Sequence, residues 1–136
     1  MLMYEGMELT GSAQTHQEIL RLAAFNVFAH NREDHSKNFA FLMDQTGSWK
    51  LAPAYDLTFS SSSHGQHSTM CAGNGVDPGT KELLELVDYF SISKGKEIIE
   101  MVKHIISQWN RFADRAEVTL DSKRTIANTI LPLLKR

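Results

Sequence analysis

The stretch HNREDHSKNFAF, residues 30–41, gathers histidine, carboxylate, lysine and asparagine side chains and then turns into an apolar run. Upstream of it, residues 15–30 show the spacing of an amphipathic helix, with apolar side chains at Ile19, Leu22, Ala23 and Val27. Thr15 and Glu18 have the pattern of a capping box, which predicts the start of this helix. Additional apolar residues widen the same face until most of the helix is predicted to be buried. The polar stretch therefore follows a predicted core helix that can anchor it.

The residues after Asn38 predict a β-hairpin. The segments FAFLM and SWKLA have the character of short strands, and DQTG between them is a turn sequence in which Gly47 can adopt a positive φ. We expect about five residues in each strand. A hairpin brings its outer ends to within about 5 Å of each other. Asn38 and Asp56 are therefore expected to be neighbours, although they are 18 residues apart in sequence.

The remainder of the chain predicts one mainly α-helical domain without internal repeats. Residues 59–80 are rich in serine and glycine and predict a long loop, with a short strand around residues 69–71. The expected segments are a lead-in at 1–14, the core helix at 15–30, the polar loop, hairpin and following turn at 31–58, the long loop at 59–80 and helices at 81–136. Within the last segment we predict helices over residues 81–90, from Ser93 to about Ala116, and after a cap at Asp121 or Ser122, with Pro132 interrupting the last one.

Composition and charge exclude several classes of protein. The net charge is −2 over 136 residues, and residues 1–56 hold four Lys/Arg against seven Asp/Glu, so no basic surface for nucleic acid is expected. The apolar runs are shorter than the roughly 20 residues that span a bilayer, and the first residues lack the basic region of a signal peptide. The lone Cys71 cannot form an internal disulfide, which favours a cytoplasmic location. If the acidic half binds a phosphate compound, we expect a metal cation to mediate it.

The polar stretch and Asp56 together carry the ligands for phosphoryl transfer. Mg²⁺ prefers hard oxygen ligands, and the amide of Asn38 and the carboxylate of Asp56 supply them. Kinase-type transfer also needs a carboxylate base five residues before the asparagine, and Glu33 occupies that position. Lys37 is placed to contact the transferred phosphate. The spacing therefore predicts a site with Glu33 and Lys37 as catalytic residues and with Asn38 and Asp56 as metal ligands.

FNVFAHNREDHSKNFAFL, followed by WKLAPAYDLTFS, resembles the HipA-like serine/threonine kinases, whose pattern runs close to FNxxxxNxDDHxKNxSFL and then W.LaPaYDl. The resemblance covers nearly the whole chain. It implies a protein-kinase-like helical C-lobe with a small hairpin, Mg²⁺ and ATP as cofactors, and a protein substrate. By the same resemblance, Asn38 and Asp56 match the metal- and nucleotide-binding residues, while His35 and Lys37 match the HxKN residues, with His35 beside the cofactor.

The chain departs from this family pattern in two ways. The first aspartate of the family's DDH is the catalytic base, whereas this chain has Glu33 there; Asp34 matches the second aspartate. The extra methylene moves the carboxylate by about 1.5 Å, and misplacement of about 1 Å can cost 10²-fold in rate. Family members are also two-lobed, and nothing before residue 15 is expected to form the N-lobe. We therefore expect a C-lobe with low activity by itself.

Two other functions fit the sequence. One is a non-catalytic interaction module that binds an antitoxin or a separately encoded N-lobe, since kinases of this family commonly act as toxins. The face that would meet the N-lobe is expected to leave an exposed apolar patch, through which a homodimer could form. The other is a metal-dependent phosphohydrolase that uses His30, Asp34 and His35.

Overall fold

The computed structural model describes residues 2–32, 38–60 and 78–136. Within these ranges the chain is mainly helical and carries one small antiparallel hairpin, as the sequence predicts. The elements are α1 (Leu2–Thr10), α2 (Ala13–Phe28), β1 (Phe41–Met43), β2 (Trp49–Leu51), α3 (Thr80–Tyr89), α4 (Gly95–Ser107), α5 (Trp109–Arg115) and α6 (Leu120–Leu133). None of the helices in the described ranges is long and apolar enough to cross a membrane.

Helix α2 lies at the centre of the fold. It packs against α1, α3, α4, α6 and β2. Its side chains Leu20, Ala24 and Phe28 are completely buried, and full burial of a large apolar side chain such as Leu20 or Phe28 contributes about 1.5–3 kcal/mol. Because the last of them is also the last residue of the helix, the end of α2 is held firmly in the core. The polar stretch thus begins at a fixed point, as predicted.

The predicted start of this helix is wrong, because α2 begins at Ala13, and most of the predicted lead-in at 1–14 is occupied by α1. Ser12 is the N-cap, and its hydroxyl accepts a hydrogen bond from the backbone N–H of Gln14 at 3.3 Å. Thr15 is buried instead, with its hydroxyl 2.6 Å from that of Thr10 at the end of α1. Packing of α1 on α2 therefore takes Thr15 away from the capping role.

The hairpin is present, but its strands have three residues each rather than five. Phe41 pairs with Leu51 and Met43 with Trp49. The turn forms as predicted, with Gly47 at a φ of +83°. Asp44 organises the turn, because its Oδ1 accepts hydrogen bonds from the Thr46 hydroxyl at 2.6 Å, the Thr46 N–H at 2.8 Å and the Ser48 N–H at 3.0 Å. These bonds, the one from the Thr46 hydroxyl first, lower the pKa of the Asp44 carboxyl below its ordinary value.

The C-terminal helices differ from the prediction in three places. The helix expected from Ser93 to about Ala116 is divided at Gln108, which ends α4 and begins α5. This break places Trp109 against α6, where the indole N–H donates to the Lys123 carbonyl at 3.0 Å. The N-cap of α6 is Thr119 rather than Asp121 or Ser122; its hydroxyl accepts from the Ser122 N–H at 3.4 Å. Pro132 lies in the last turn of α6 and does not interrupt it.

Candidate functional site

Asn38 and Asp56 meet at the open end of the hairpin. The Asn38 side-chain amide donates a hydrogen bond to the Asp56 carboxylate, with Nδ2 and Oδ2 3.2 Å apart. Pairing continues beyond the strands toward these residues, since the Ala52 N–H donates to the Ala40 carbonyl at 2.8 Å. The predicted closeness of the two residues is therefore confirmed. The hairpin brings an amide and a carboxylate together from positions 18 apart in the chain.

Asp56 has an unusual backbone conformation. Its φ is +54°, in the left-handed region that side chains other than glycine rarely adopt, although aspartate and asparagine tolerate it best. Its side chain is exposed. The segment that begins with Asp56 leads from the hairpin to the end of α2, where the Ser60 N–H donates to the His30 carbonyl at 3.1 Å.

The described part of the site provides oxygen ligands that suit Mg²⁺. Asn38 carries an amide oxygen and Asp56 carries two carboxylate oxygens, all of them hard donors. Mg²⁺ usually takes one or two protein ligands and completes its octahedron with water and phosphate oxygens. In the described ranges there is no group of three His, Cys, Asp or Glu side chains that could hold a metal ion by themselves. One amide oxygen and two carboxylate oxygens therefore suit a Mg²⁺ site that water and phosphate oxygens complete.

The other predicted site residues, Glu33, Asp34, His35 and Lys37, lie outside the described residues. The predicted strand around residues 69–71 and most of the predicted long loop lie outside them as well. The roles of these four side chains stay predictions. Of the five residues predicted for catalysis or cofactor binding, the structure describes Asn38 and Asp56, and it brings those two together.

Two buried asparagines support the site and were not predicted. Asn26 in α2 is 5% exposed and Asn31 is 2% exposed. The Asn31 side-chain N–H donates to Oδ1 of Asn26 at 3.0 Å, and its backbone N–H donates to the Asn26 carbonyl at 2.9 Å. The Asn31 amide also lies 3.5 Å from the carbonyl oxygen of Asp56. The sequence does contain one signal for this pair, because Asn26 lies within the apolar face of the predicted helix. A buried amide is tolerated only where its hydrogen bonds are satisfied.

His30 forms the second link between α2 and the segment that follows Asp56. Its Nδ1 lies 2.7 Å from the Ser60 carbonyl oxygen, and its own carbonyl accepts from the Ser60 N–H at 3.1 Å. Its ring is 5.7 Å from that of Phe59, and its Nε2 lies 3.3 Å from a guanidinium nitrogen of Arg32. Both ring nitrogens are thus in hydrogen-bond contact within the protein. His30 is consequently poorly placed to serve as a metal ligand.

An apolar cavity of about 510 Å³ lies behind the segment after Asp56. Its walls contain no charged side chain; they are Phe25, Ala29, Leu57, Thr58, Phe59, Ile105, Ile106, Trp109, Phe112, Ile126 and Ile130. Phosphate groups require positive charge or hydrogen-bond donors. A triphosphate is therefore not expected in this cavity, and the polar end of the hairpin is the better place for it.

Comparison with known proteins gives one match. The family described as the HipA-like C-terminal domain matches residues 3–130, which is nearly the whole chain. No curated protein and no solved structure matches it.

Proposed function

Because the chain belongs to the HipA-like C-terminal domain family, we propose that it binds Mg²⁺ and nucleotide phosphates for phosphoryl transfer of the serine/threonine kinase type. The observation that carries this proposal is the Asn38–Asp56 pair, in which two oxygen-bearing side chains meet across the hairpin. When bound, the metal ion would neutralise charge on the phosphate oxygens. Asn38 and Asp56 would hold the ion and so orient the ATP.

The remaining roles follow from the sequence and the family pattern. Glu33 is proposed as the carboxylate that accepts the proton of an attacking protein hydroxyl, and Lys37 as the cation beside the transferred phosphate. His35 is proposed to lie beside the nucleotide. The order of core helix, polar stretch, hairpin, Asp56 and further helices is compatible with a kinase-like C-lobe. The longer Glu33 side chain supports only a slow reaction.

The test is a titration of the isotopically labelled chain with ATP and Mn²⁺, followed by ¹H–¹⁵N NMR. A paramagnetic ion broadens signals of nearby nuclei even when binding is weak. We expect selective broadening of the Asn38 side-chain amide and of the Asp56 backbone amide. Asp56→Asn should weaken the apparent affinity for the ion by at least about 10-fold, because it removes the attraction between a carboxylate and the cation.

Asp44→Asn is the matched control. Asp44 is also an exposed aspartate, at the other end of the same hairpin, and an asparagine can still accept the turn hydrogen bonds there. This control should leave the broadening unchanged. Equal effects of the two substitutions, or broadening confined to the turn, would contradict the proposed metal site.

Exposed apolar side chains around the hairpin favour a second candidate function, the binding of another protein chain. Leu42, Met43, Trp49, Tyr55 and Leu57 are each at least 37% exposed. Met43 and Trp49 are cross-strand partners and so lie on the same face of the hairpin, where exposed apolar side chains can contribute to a protein interface. Under this proposal the partner is a second copy of the chain, an antitoxin or an N-lobe. Sedimentation of the chain as a monomer over the micromolar range would exclude the homodimer, and loss of dimer in Met43→Glu would support it.

The phosphohydrolase alternative has less support. It needs His30 as a metal ligand, whereas the ring nitrogens of His30 contact Ser60 and Arg32. Absence of phosphatase activity with Mn²⁺ or Zn²⁺ would remove this alternative.

A further inference from the structure

Two adjacent residues at the end of α2 contact both ends of the segment that begins with Asp56. Asn31 lies against the Asp56 carbonyl oxygen, and His30 is hydrogen-bonded to the backbone of Ser60. We infer that His30 and Asn31 are positioning residues for Asp56: they hold this segment so that the Asp56 carboxylate meets Asn38. The inference rests on the proposed function, in which Asp56 is a metal ligand.

Asn31 is itself rigidly held. Its backbone N–H and its side-chain N–H both donate to Asn26, at 2.9 and 3.0 Å, and both residues are buried. Its amide nitrogen lies 3.5 Å from the Asp56 carbonyl oxygen, longer than the usual 2.9–3.0 Å. This contact adds little energy. Its effect is to limit where the backbone of Asp56 can lie relative to the core helix.

The hydrogen bonds between His30 and Ser60 are shorter than the contact between Asn31 and Asp56. A carbonyl oxygen can only accept, so the His30 Nδ1 must donate to the Ser60 carbonyl, and Nε2 is then the acceptor for Arg32. The Ser60 N–H donates in turn to the His30 carbonyl at 3.1 Å. Ser60 is therefore bound on both sides of its backbone by one residue. Contact with the ring of Phe59 adds a third restraint.

These contacts act on Asp56 only through its backbone. The Asp56 side chain is exposed, and no hydrogen bond from His30 or Asn31 reaches its carboxylate among the described contacts. Residues that orient a metal ligand without touching the metal typically cost 10–100-fold in affinity when they are replaced. We expect losses of about this size from His30 and Asn31 variants, without loss of the fold.

The first experiment separates positioning from packing. Asn31→Leu leaves the Asn26 amide buried without its partner and should lower the urea midpoint. Combining it with Asn26→Leu removes both polar groups, which is often nearly neutral for stability. The double variant should therefore recover much of the urea midpoint, but it should not recover the position of Asp56.

The position of Asp56 is read from the Asn38 side-chain amide signal in ¹H–¹⁵N spectra without metal. That amide donates to the Asp56 carboxylate in the parent, and its signal should move away from the parental position in the double variant. A Mn²⁺ titration with ATP should show apparent binding weakened about 10–100-fold.

A second experiment uses His30→Gly. Glycine accepts the left-handed backbone of His30, φ +55°, and removes the ring that holds Ser60. Lys94→Gly is the matched control, because Lys94 is an exposed residue with a φ of +57° at the start of α4. Only His30→Gly should shift the Asn38 amide signal and weaken Mn²⁺ binding.

The outcomes distinguish this inference from the proposed function. If the parent shows no Mn²⁺ broadening, the metal site is wrong, while the metal-free Asn38 signal still tests the positioning. If the double variant keeps the parental Asn38 signal and His30→Gly behaves like Lys94→Gly, the two residues are structural only and the inference is overturned. If the double variant does not fold, the comparison of His30→Gly with Lys94→Gly decides.

Discussion

Replacing Asp56 by glycine should remove binding while leaving stability almost unchanged. An L-residue in the left-handed region costs about 1–2 kcal/mol, which glycine avoids. Against this gain stand the lost hydrogen bond to Asn38, about 0.5–1.5 kcal/mol, and the greater freedom of glycine in the unfolded chain, about 0.5–1 kcal/mol. Because the Asp56 side chain is exposed, no apolar burial is lost. The terms nearly cancel, so the free energy of unfolding should change by less than about 1 kcal/mol.

Alanine at the same position gives the contrast. Asp56→Ala loses the hydrogen bond to Asn38 and keeps the left-handed backbone with a side chain that tolerates it less well than aspartate. It should destabilise the protein by about 1–2 kcal/mol. Both variants should lose Mn²⁺ binding, because both lack the carboxylate. The free energy of unfolding therefore distinguishes Asp56→Gly from Asp56→Ala, whereas Mn²⁺ binding does not.

The assays are urea unfolding followed by circular dichroism, with midpoints and slopes compared, and Mn²⁺ titration by NMR. Glu117→Gly is the control, since Glu117 is an exposed residue with the same φ of +54° and follows the end of α5. It should be neutral or stabilising by up to about 1 kcal/mol, without effect on Mn²⁺ binding. A loss of more than about 2 kcal/mol in Asp56→Gly would refute the reasoning, because Asp56 would then be retained for structure.

Three further predictions concern other parts of the chain. Gly95→Ala would place a Cβ 2.4 Å from a methyl carbon of Val87, between α3 and α4. It should lower the free energy of unfolding, measured in urea, by about 1–3 kcal/mol, and adding Val87→Ala should relieve the crowding. The Asp44 carboxyl has a lowered pKa, so it stabilises the turn fully above its ordinary pKa of 3.8, and this stabilisation is lost as the pH falls through the lower pKa of the folded protein. Asp44→Ala should abolish this pH dependence in hairpin amide shifts recorded from pH 6 to 2. Glu33→Asp restores the carboxylate of the family pattern and should raise Mg²⁺-dependent ATP turnover by up to about 10²-fold; an unchanged turnover would contradict the role of Glu33.

The hairpin and the Asn38–Asp56 contact could be predicted because both depend on local rules. A turn that needs a positive φ at Gly47 and an antiparallel pairing are enough to bring the two residues together. The strand length could not be predicted as well, since only Phe41–Met43 and Trp49–Leu51 form the regular ladder. Single backbone hydrogen bonds continue the pairing at each end, from the Ala52 N–H to the Ala40 carbonyl and from the Asp44 N–H to the Ser48 carbonyl.

The helix boundaries show where tertiary packing overrides local pattern. Helix α1 forms where Gly6 lets it approach α2, with the position of a Cβ on Gly6 only 2.9 Å from Ile19. Short helices obtain most of their stability from such packing. The break at Gln108 has the same origin, because the helical spacing of apolar residues continues through it while Trp109 turns toward α6.

The backbone itself singles out Asp56 without reference to any family. In the described ranges, five residues other than glycine have a positive φ, and three of them follow the C-terminal end of a helix: His30, Ser91 and Glu117. A left-handed residue is an ordinary way to end a helix, so those three have a local explanation. Lys94 is the N-cap of α4, whereas Asp56 lies at no helix end. A strained backbone persists only where the surrounding structure maintains it, and His30 and Asn31 contact the segment that Asp56 begins. The left-handed backbone of Asp56 is therefore what the proposed positioning of its carboxylate predicts.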